Sequence, residues 1–510
     1  MSLDDFLLAT EKRAWLKHNS LRGLARAGEF KGITPNGRGD WLNQAREYED
    51  WNRWLPIASK ESKAGKDGAI FKLYSLGVVT ARDEWIYDNN AKNLERKIKY
   101  LIDIYNKDVK KQAGKKTAEI ASDIDYSIKW TRAVKADLSK GIRYKYTQEN
   151  IIFSIYRPFT KKLMYFSGQL NEMQSLSKEM FGKNADKPNI CIGFMGNDSP
   201  KPFAALAFIH VIDLNCLSPA AGGTKCLPLY QYDKDGSRHD NITDWALKQF
   251  QAHYENPALV PTRGVGMPSH RAAVQDAARL QLHSHAARGN EIKGGREFIR
   301  AVGGKARINS RPPWFVSLNK TDIFNYVYAV LHDPRYREKF ALNLKAEFPR
   351  IPFHPDFAAW AALGAKLIKL HAEFEHVEPW EFERVESSVR SEPVEGLESF
   401  MLQGASTKKT AKTKLKADKI KHCIEIDSQT TLANIPPEAW QYQLGNRSAL
   451  EWVLDQYKEK TPKDPTIREK FNTYRFADHK EHVIELLAKV CRVSVETMAL
   501  IEAIQALTWD

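Results

Sequence analysis

The feature of this sequence that most restricts its fold is a gap in its large side chains. Between Tyr254 and Phe298 there is no aromatic residue, although aromatics make up 11% of the chain. Over the same stretch the basic residues change from lysine to mostly arginine, with Arg263, Arg271, Arg279, Arg288, Arg296 and then Arg300. A segment without large apolar groups buries little area and adds little to a core. The expectation is a disordered insertion over 255–318, with the packed protein assembled from the residues on either side.

A second break lies at 384–421. There the acidic ERVESSVRSEPVEGLES gives way to Lys408, Lys409, Lys412, Lys414, Lys416, Lys419 and Lys421, which reads as a linker or insertion. SVRSEPVEGLE also resembles translated intergenic repeats found inside some bacterial genes.

The remaining residues are patterned as folded chain, enough for roughly two to four domains. In IIFSIYRPFTKKLMYF (151–166), β-branched and aromatic residues on both sides of Pro158 predict two short strands. NICIGFMG (189–196) and ALAFIHVIDLNC (205–216) predict buried strands. Ile323, Tyr326, Val327, Val330 and Leu331 share one helical face behind Thr321, the expected cap, and Asp333-Pro334 ends that helix. Phe357, Trp360, Leu363, Leu367, Leu370 and Phe374 form a second stripe behind Asp356. Val483, Leu486, Leu487 and Val490 form a third, after which Ser494 is expected to cap a separate last helix. The fold class is therefore α+β. A small mixed β-sheet with surrounding helices is expected over 46–254 and 319–383, followed by a mainly helical C-terminal region over 422–510.

Catalytic signatures are missing. The sequence contains no GxxxxGK[ST] loop, no GxGxxG behind a predicted strand, no HExxH and no GxSxG. A polar-Pro-Pro-aromatic motif, which grips a flipped base, is absent too: Asn256-Pro257 runs into Ala-Leu, and neither Pro312-Pro313 nor Pro436-Pro437 follows Asn or Asp. Cys191, Cys216, Cys226, Cys423 and Cys491 include no CxxC pair, so no metal site is indicated. No catalytic residue, metal or cofactor is assigned to this chain. No apolar run of about 18 residues predicts a membrane span. The first residues lack the apolar core of a secretory signal, and a cytoplasmic location is expected.

Charge points to the partner. A formal net charge of +14 and a pI near 9.2 favour polyanions, through phosphate contacts and counterion release. Arg157, Lys161 and Lys162 lie among Tyr156, Phe159, Tyr165 and Phe166, so on a strand pair the rings can pack inward while the basic groups reach DNA. The alternative is a well-packed hairpin with solvated lysines. Arg335 and Arg337 flank Tyr336, either as DNA ligands or as an ion-paired helix start. Asn446 and Arg447 precede a predicted helix, where they suit base edges and phosphate, or serve as a cap and a surface arginine. The arginine-rich 255–318 segment has a functional alternative as a DNA-contacting arm. Gln44, Arg82 and Asp83 fall in dense polar-aromatic motifs that suit a domain junction.

The segments RGDWLNQ (38–44), RDEWIYD (82–88), YRPFTKKLMYF (156–166), LPLYQYD (227–233), HDPRYREKFALNLKAEFPRIPF (332–353), IPPEAWQYQLGNRSALEWVLDQY (435–457) and YRFADHKEHVIELLAKVCRVSVETM (474–498) together resemble the C-terminal specificity region of type ISP restriction-modification enzymes. In that family a nuclease, a helicase-like ATPase, a coupler and an adenine methyltransferase precede a target-recognition domain. EKRAWLKHN (11–19) resembles the exit of the methyltransferase, so 1–45 is expected to be its tail. The resemblance implies sequence-specific recognition of double-stranded DNA that positions adenine for methylation. S-adenosylmethionine, ATP and Mg are implied only for the missing domains, and an upstream methyltransferase, helicase and nuclease polypeptide is the implied protein partner. The rival readings are a fragment or subunit of an adenine-specific DNA methyltransferase, and a decayed remnant without function.

Overall fold

The computed structural model describes residues 49–66, 68–112, 114–115, 119–120, 123–195, 199–218, 222–255, 318–387 and 411–509. The expectations for 1–45, Gln44 included, for the interior of the 255–318 insertion and for 388–410 lie outside these residues.

In chain order the main strands are β1 (Ser75–Leu76), β2 (Tyr87–Asp88), β3 (Ile151–Arg157), β4 (Thr160–Tyr165), β5 (Cys191–Met195), β6 (Ala205–Phe208), β7 (Val211–Ile212), β8 (Thr224–Pro228), β9 (Glu383–Glu386), β10 (Thr413–Asp418), β11 (Cys423–Asp427) and β12 (Thr430–Ala433). The main helices are α1 (Ala91–Gln112), α2 (Arg132–Ser139), α3 (Asp244–Tyr254), α4 (Lys320–Val330), α5 (Pro334–Lys339), α6 (Phe357–Ala372), α7 (Ala449–Tyr457) and α8 (Lys480–Gln505).

The strands form three four-stranded sheets, ordered β1-β8-β5-β6, β2-β4-β3-β7 and β9-β12-β11-β10. Within them only the β3–β7 pairing is parallel. The mixed α+β class read from the sequence is the class observed, with several small sheets in place of one.

The first sheet divides two hydrophobic cores. In β5, Cys191 and Met195 face one core while Ile192 and Phe194 face the other. The same alternation sends Leu206 and Phe208 of β6 one way and Ala205 and Ala207 the other. A sheet buried on both faces has no reason to alternate polar with apolar, which is why these strands read as continuous apolar runs. One core contains α3, α4, α6 and Trp51; the other contains α1, the second and third sheets, α7 and most of α8.

Helices α4 and α6 approach closely at Gly364, where an added Cβ would lie 1.9 Å from the Asn325 carbonyl oxygen. A buried hydrogen-bond chain ties the same elements together. The Ala207 amide donates to the Tyr328 hydroxyl at 2.7 Å, that hydroxyl meets His371 Nδ1 at 2.6 Å, and His371 Nε2 meets Thr497 Oγ1 at 2.8 Å. It joins β6, α4, α6 and α8.

Three sequence expectations change at the level of elements. Helix α4 is capped by Asn319 and not Thr321, in a box completed by Asp322. Ser494 starts no separate helix. It lies inside the 26-residue α8, where its hydroxyl donates to the Val490 carbonyl at 2.7 Å. The flanks of the 384–421 segment are β9 and β10, the two edge strands of the third sheet, and are not linker. All four β9 residues are exposed, and in β10 the buried Leu415 sits between the exposed Lys414 and Lys416. Edge strands with a solvated face carry charge of this kind, and that hid them. The C-terminal region over 422–510 is mainly helical as expected, and β11 and β12 lie at its start.

Candidate nucleic-acid interface

The described structure draws four of the seven basic or polar candidates into internal contacts. Pro158 and Phe159 turn β3 into β4 as expected, with Phe159 at a φ of 53° and its ring buried. Arg157, beside that turn, donates to Asp213 at 2.8 Å, with its side chain only 12% exposed, and lies 4.0 Å from the Tyr156 ring centre. It braces β3 against the segment after β7 and is not a free surface ligand. Arg335 forks onto the Asp333 carboxylate and donates to the carbonyls of Ile504, Gln505 and Leu507, closing the C-terminal end of α8. Arg337 donates to the Leu331 carbonyl from a half-buried position, and desolvation pulls its guanidinium below its ordinary range. Lys161 is ion-paired to Glu375 and sits 4.5 Å from the Phe153 ring centre.

Asn446 and Arg447 remain at the surface. Gly445, at a φ of 72°, and Asn446 form the two-residue turn between Gln443–Leu444 and Arg447–Ser448. Asn446 is exposed, and Arg447 shares Asp455 at 3.4 Å. Ser448 caps α7 in a box with Glu451. The junction candidates point inward. Arg82 is 4% exposed and donates to Thr131 at 2.6 Å, and desolvation lowers it to about 10. Asp83 accepts from the hydroxyls of Thr80 and Tyr156.

A broad basic surface among the described residues was not singled out from sequence as a site. Helix α1 buries Leu94, Ile98, Leu101, Ile102, Tyr105 and Val109. Its opposite face exposes Lys92, Arg96, Lys99, Lys107, Lys110 and Lys111, broken by Asp103. At 1.5 Å per residue the row from Lys92 to Lys110 runs about 27 Å, roughly eight base-pair steps of a duplex. The three-and-four spacing of these lysines was the available signal, and it also describes any solvated helix face.

Both flanks extend this row. Asn106 exchanges hydrogen bonds of 2.9 and 3.0 Å with the Tyr144 backbone, and Tyr144 stacks on Tyr105 at 3.9 Å. That contact holds Arg143 and Lys145 at the surface beside α1. On the other side Lys470 lies 4.9 Å from the Tyr100 ring centre and Arg96 lies 5.6 Å from that of Phe471. Lys470 ends a basic segment that also exposes Lys458, Lys460, Lys463 and Arg468. It is tied down by the Glu84 carboxylate, which accepts from the amides of Lys463 and Asp464, and by Trp85, which donates to Asp464 at 2.8 Å.

Lys162 sits in a notch between these parts. Its ammonium lies 4.5 Å from the Tyr156 ring centre and has no hydrogen bond or ion pair of its own among the described residues. Each neighbouring cation does have one: Lys97 with Asp88 at 2.8 Å, Arg157 with Asp213 at 2.8 Å, Lys460 with Asp455 at 3.2 Å. Burial, and then the Arg157 charge, pull Lys162 down to about 8. A desolvated cation among like charges lacks only an anion.

The Type ISP C-terminal specificity domain matches residues 69–486. The chain belongs to that family. Among solved structures, a DrdV–DNA complex determined by cryo-EM is 39% identical with a TM-score of 0.74, covering 98% of this chain and 42% of its own. A nuclease-deleted form of the Type ISP restriction-modification enzyme LlaGI, in complex with a DNA substrate mimic, shares the fold at 23% identity and a TM-score of 0.66, covering 94% and 31%. The ATP-dependent Type ISP enzyme LlaBIII bound to DNA does so at 21% and 0.65, covering 95% and 26%. The specificity-domain chain thus spans less than half the length of each of these proteins. No curated protein matches it. Among the described residues there is no group of three or more side chains placed to hold a metal ion, and no helix long and apolar enough to cross a membrane.

Proposed function

We propose that this specificity domain recognises a sequence in duplex DNA as part of a restriction-modification system. The observation that carries the reading is the cationic row of α1 with its two basic flanks, in a family member whose 39% identical structural neighbour is a DNA complex. The row supplies phosphate contacts that set register on the duplex. Asn446 and Arg447, on their two-residue turn, supply groups suited to base edges. Within the intact system the domain delivers adenine to a methyltransferase pocket contributed by other sequence, which also carries S-adenosylmethionine, ATP and Mg.

Selection of bound duplexes from a random pool tests the reading. Enrichment of one motif is expected, with affinity falling steeply as salt rises. Binding that depends on salt but enriches no motif would refute recognition and leave only a polyanion-binding surface.

A further inference from the structure

A cleft of about 570 Å³ lies apart from the α1 row, between the 200–203 segment, α5, the 441–445 turn and α8. Much of its wall is apolar, with Pro200, Pro202, Phe203, Met498 and Ile501. Its volume falls within the range of small-molecule sites.

The polar groups of the cleft are short of partners. Among the described residues the Arg337 guanidinium makes one hydrogen bond, from Nε to the Leu331 carbonyl, and its buried Nη2 has none. The nearby Asp333 carboxylate takes its hydrogen bonds from Arg335 and not from Arg337. Tyr442 is 2% exposed, and its buried hydroxyl also has no partner among the described residues. Lys345, half-buried on the wall, has no ion pair among the described residues. The one carboxylate that lines the cleft is Glu338, which is exposed. Two cations and a phenol donor therefore line one cleft with a single exposed acid. A buried donor left without an acceptor is unfavourable in a ligand-free protein. A guanidinium, an ammonium and a hydroxyl that share a wall suit the oxygens of a phosphate. Phe203, whose ring centre lies 5.8 Å from the Arg337 guanidinium, and the prolines offer flat apolar surface for a base.

We infer that this cleft is a nucleotide site, with the phosphate held by Arg337, Lys345 and Tyr442 and the base against Phe203. The nucleotide comes either from a splayed DNA strand or from a free mononucleotide, and the inference stands apart from the duplex-recognition reading.

The full chain is titrated with deoxyadenosine monophosphate and with inorganic phosphate, by calorimetry and thermal shift, beside Tyr442→Phe and Lys345→Gln. Tyr442→Phe removes an unpartnered hydroxyl, so its ligand-free melting temperature should equal or exceed that of the parent. Saturable binding of the monophosphate, weakened at least fivefold in both variants, indicates the free source. Without such binding, a log-affinity against log-salt slope for single-stranded or duplex DNA that is shallower by about one in Lys345→Gln indicates the strand source. If neither variant changes nucleotide or DNA binding, or if Tyr442→Phe melts well below the parent, the site is refuted. Monophosphate binding without any duplex binding would keep the cleft and overturn the recognition reading alone.

Discussion

At the scale of single residues, chemistry that looked interchangeable in the sequence separates sharply. Arg157 and Lys162 stand five positions apart, yet one has a buried carboxylate and the other has none. Arg157→Ala strands the Asp213 carboxylate inside the protein and should cost about 3–5 kcal/mol of folding stability, read from urea midpoints. An unchanged midpoint with weaker DNA binding would restore Arg157 as a surface ligand. Lys162→Met should instead leave folding intact and make the DNA salt slope shallower by about one. Its titration adds opposite signs. A bound phosphate prefers the charged ammonium, so DNA affinity is full below about pH 8 and declines as pH rises past it. In folding, Lys162 is depressed from its ordinary value, so the unfolded chain holds the proton more tightly and stability rises with pH above 8. Both pH responses should vanish in Lys162→Met.

At the scale of elements, the helices followed their apolar stripes and the edges of sheets did not. Phe357, Trp360 and Leu367 predicted α6, and Asp356 caps it through the Ala359 amide at 3.1 Å. Strands β9 and β10 were read as linker because a charged, half-solvated edge strand and a solvated linker have the same composition. Two predictions belong here. Gly364→Ala should destabilise by about 3 kcal/mol, since α6 cannot move away from the Asn325 backbone without opening the core; a melting temperature within a degree or two of the parent would show that the helices can part. Replacing Lys92, Arg96 and Lys99 together with Gln leaves the buried face of α1 untouched. It should reduce the DNA salt slope by roughly two to three while helicity holds. If the slope does not change, the interface lies elsewhere on the domain.

At the scale of the whole molecule, two cores meet on one sheet and are joined by the Tyr328–His371–Thr497 chain. Burial, and then the Arg337 charge, push His371 down to about 3, and burial also lowers His332. Between pH 6.5 and that value the unfolded chain takes up a proton that the folded chain refuses. Stability is therefore full above about pH 6.5 and lost as pH falls, at up to about 1.4 kcal/mol per pH unit for each such group. Urea midpoints at pH 7.5 and 5 should show this loss, and His371→Gln should reduce it; equal midpoints at both values would contradict a neutral buried imidazole.

The sequence alone determined the α+β class, the principal helices, the β3–β4 hairpin, the basic balance and the family, because apolar period, turn residues and long motifs are local properties of a chain. It could not assign roles to its arginines and lysines. Whether a cation is spent on a carboxylate, on the end of a helix, or left without an anion depends on which distant residue is folded against it. Asp213, the last turn of α8 and Tyr442 are such residues, and only the tertiary structure brings them to Arg157, Arg335 and Arg337.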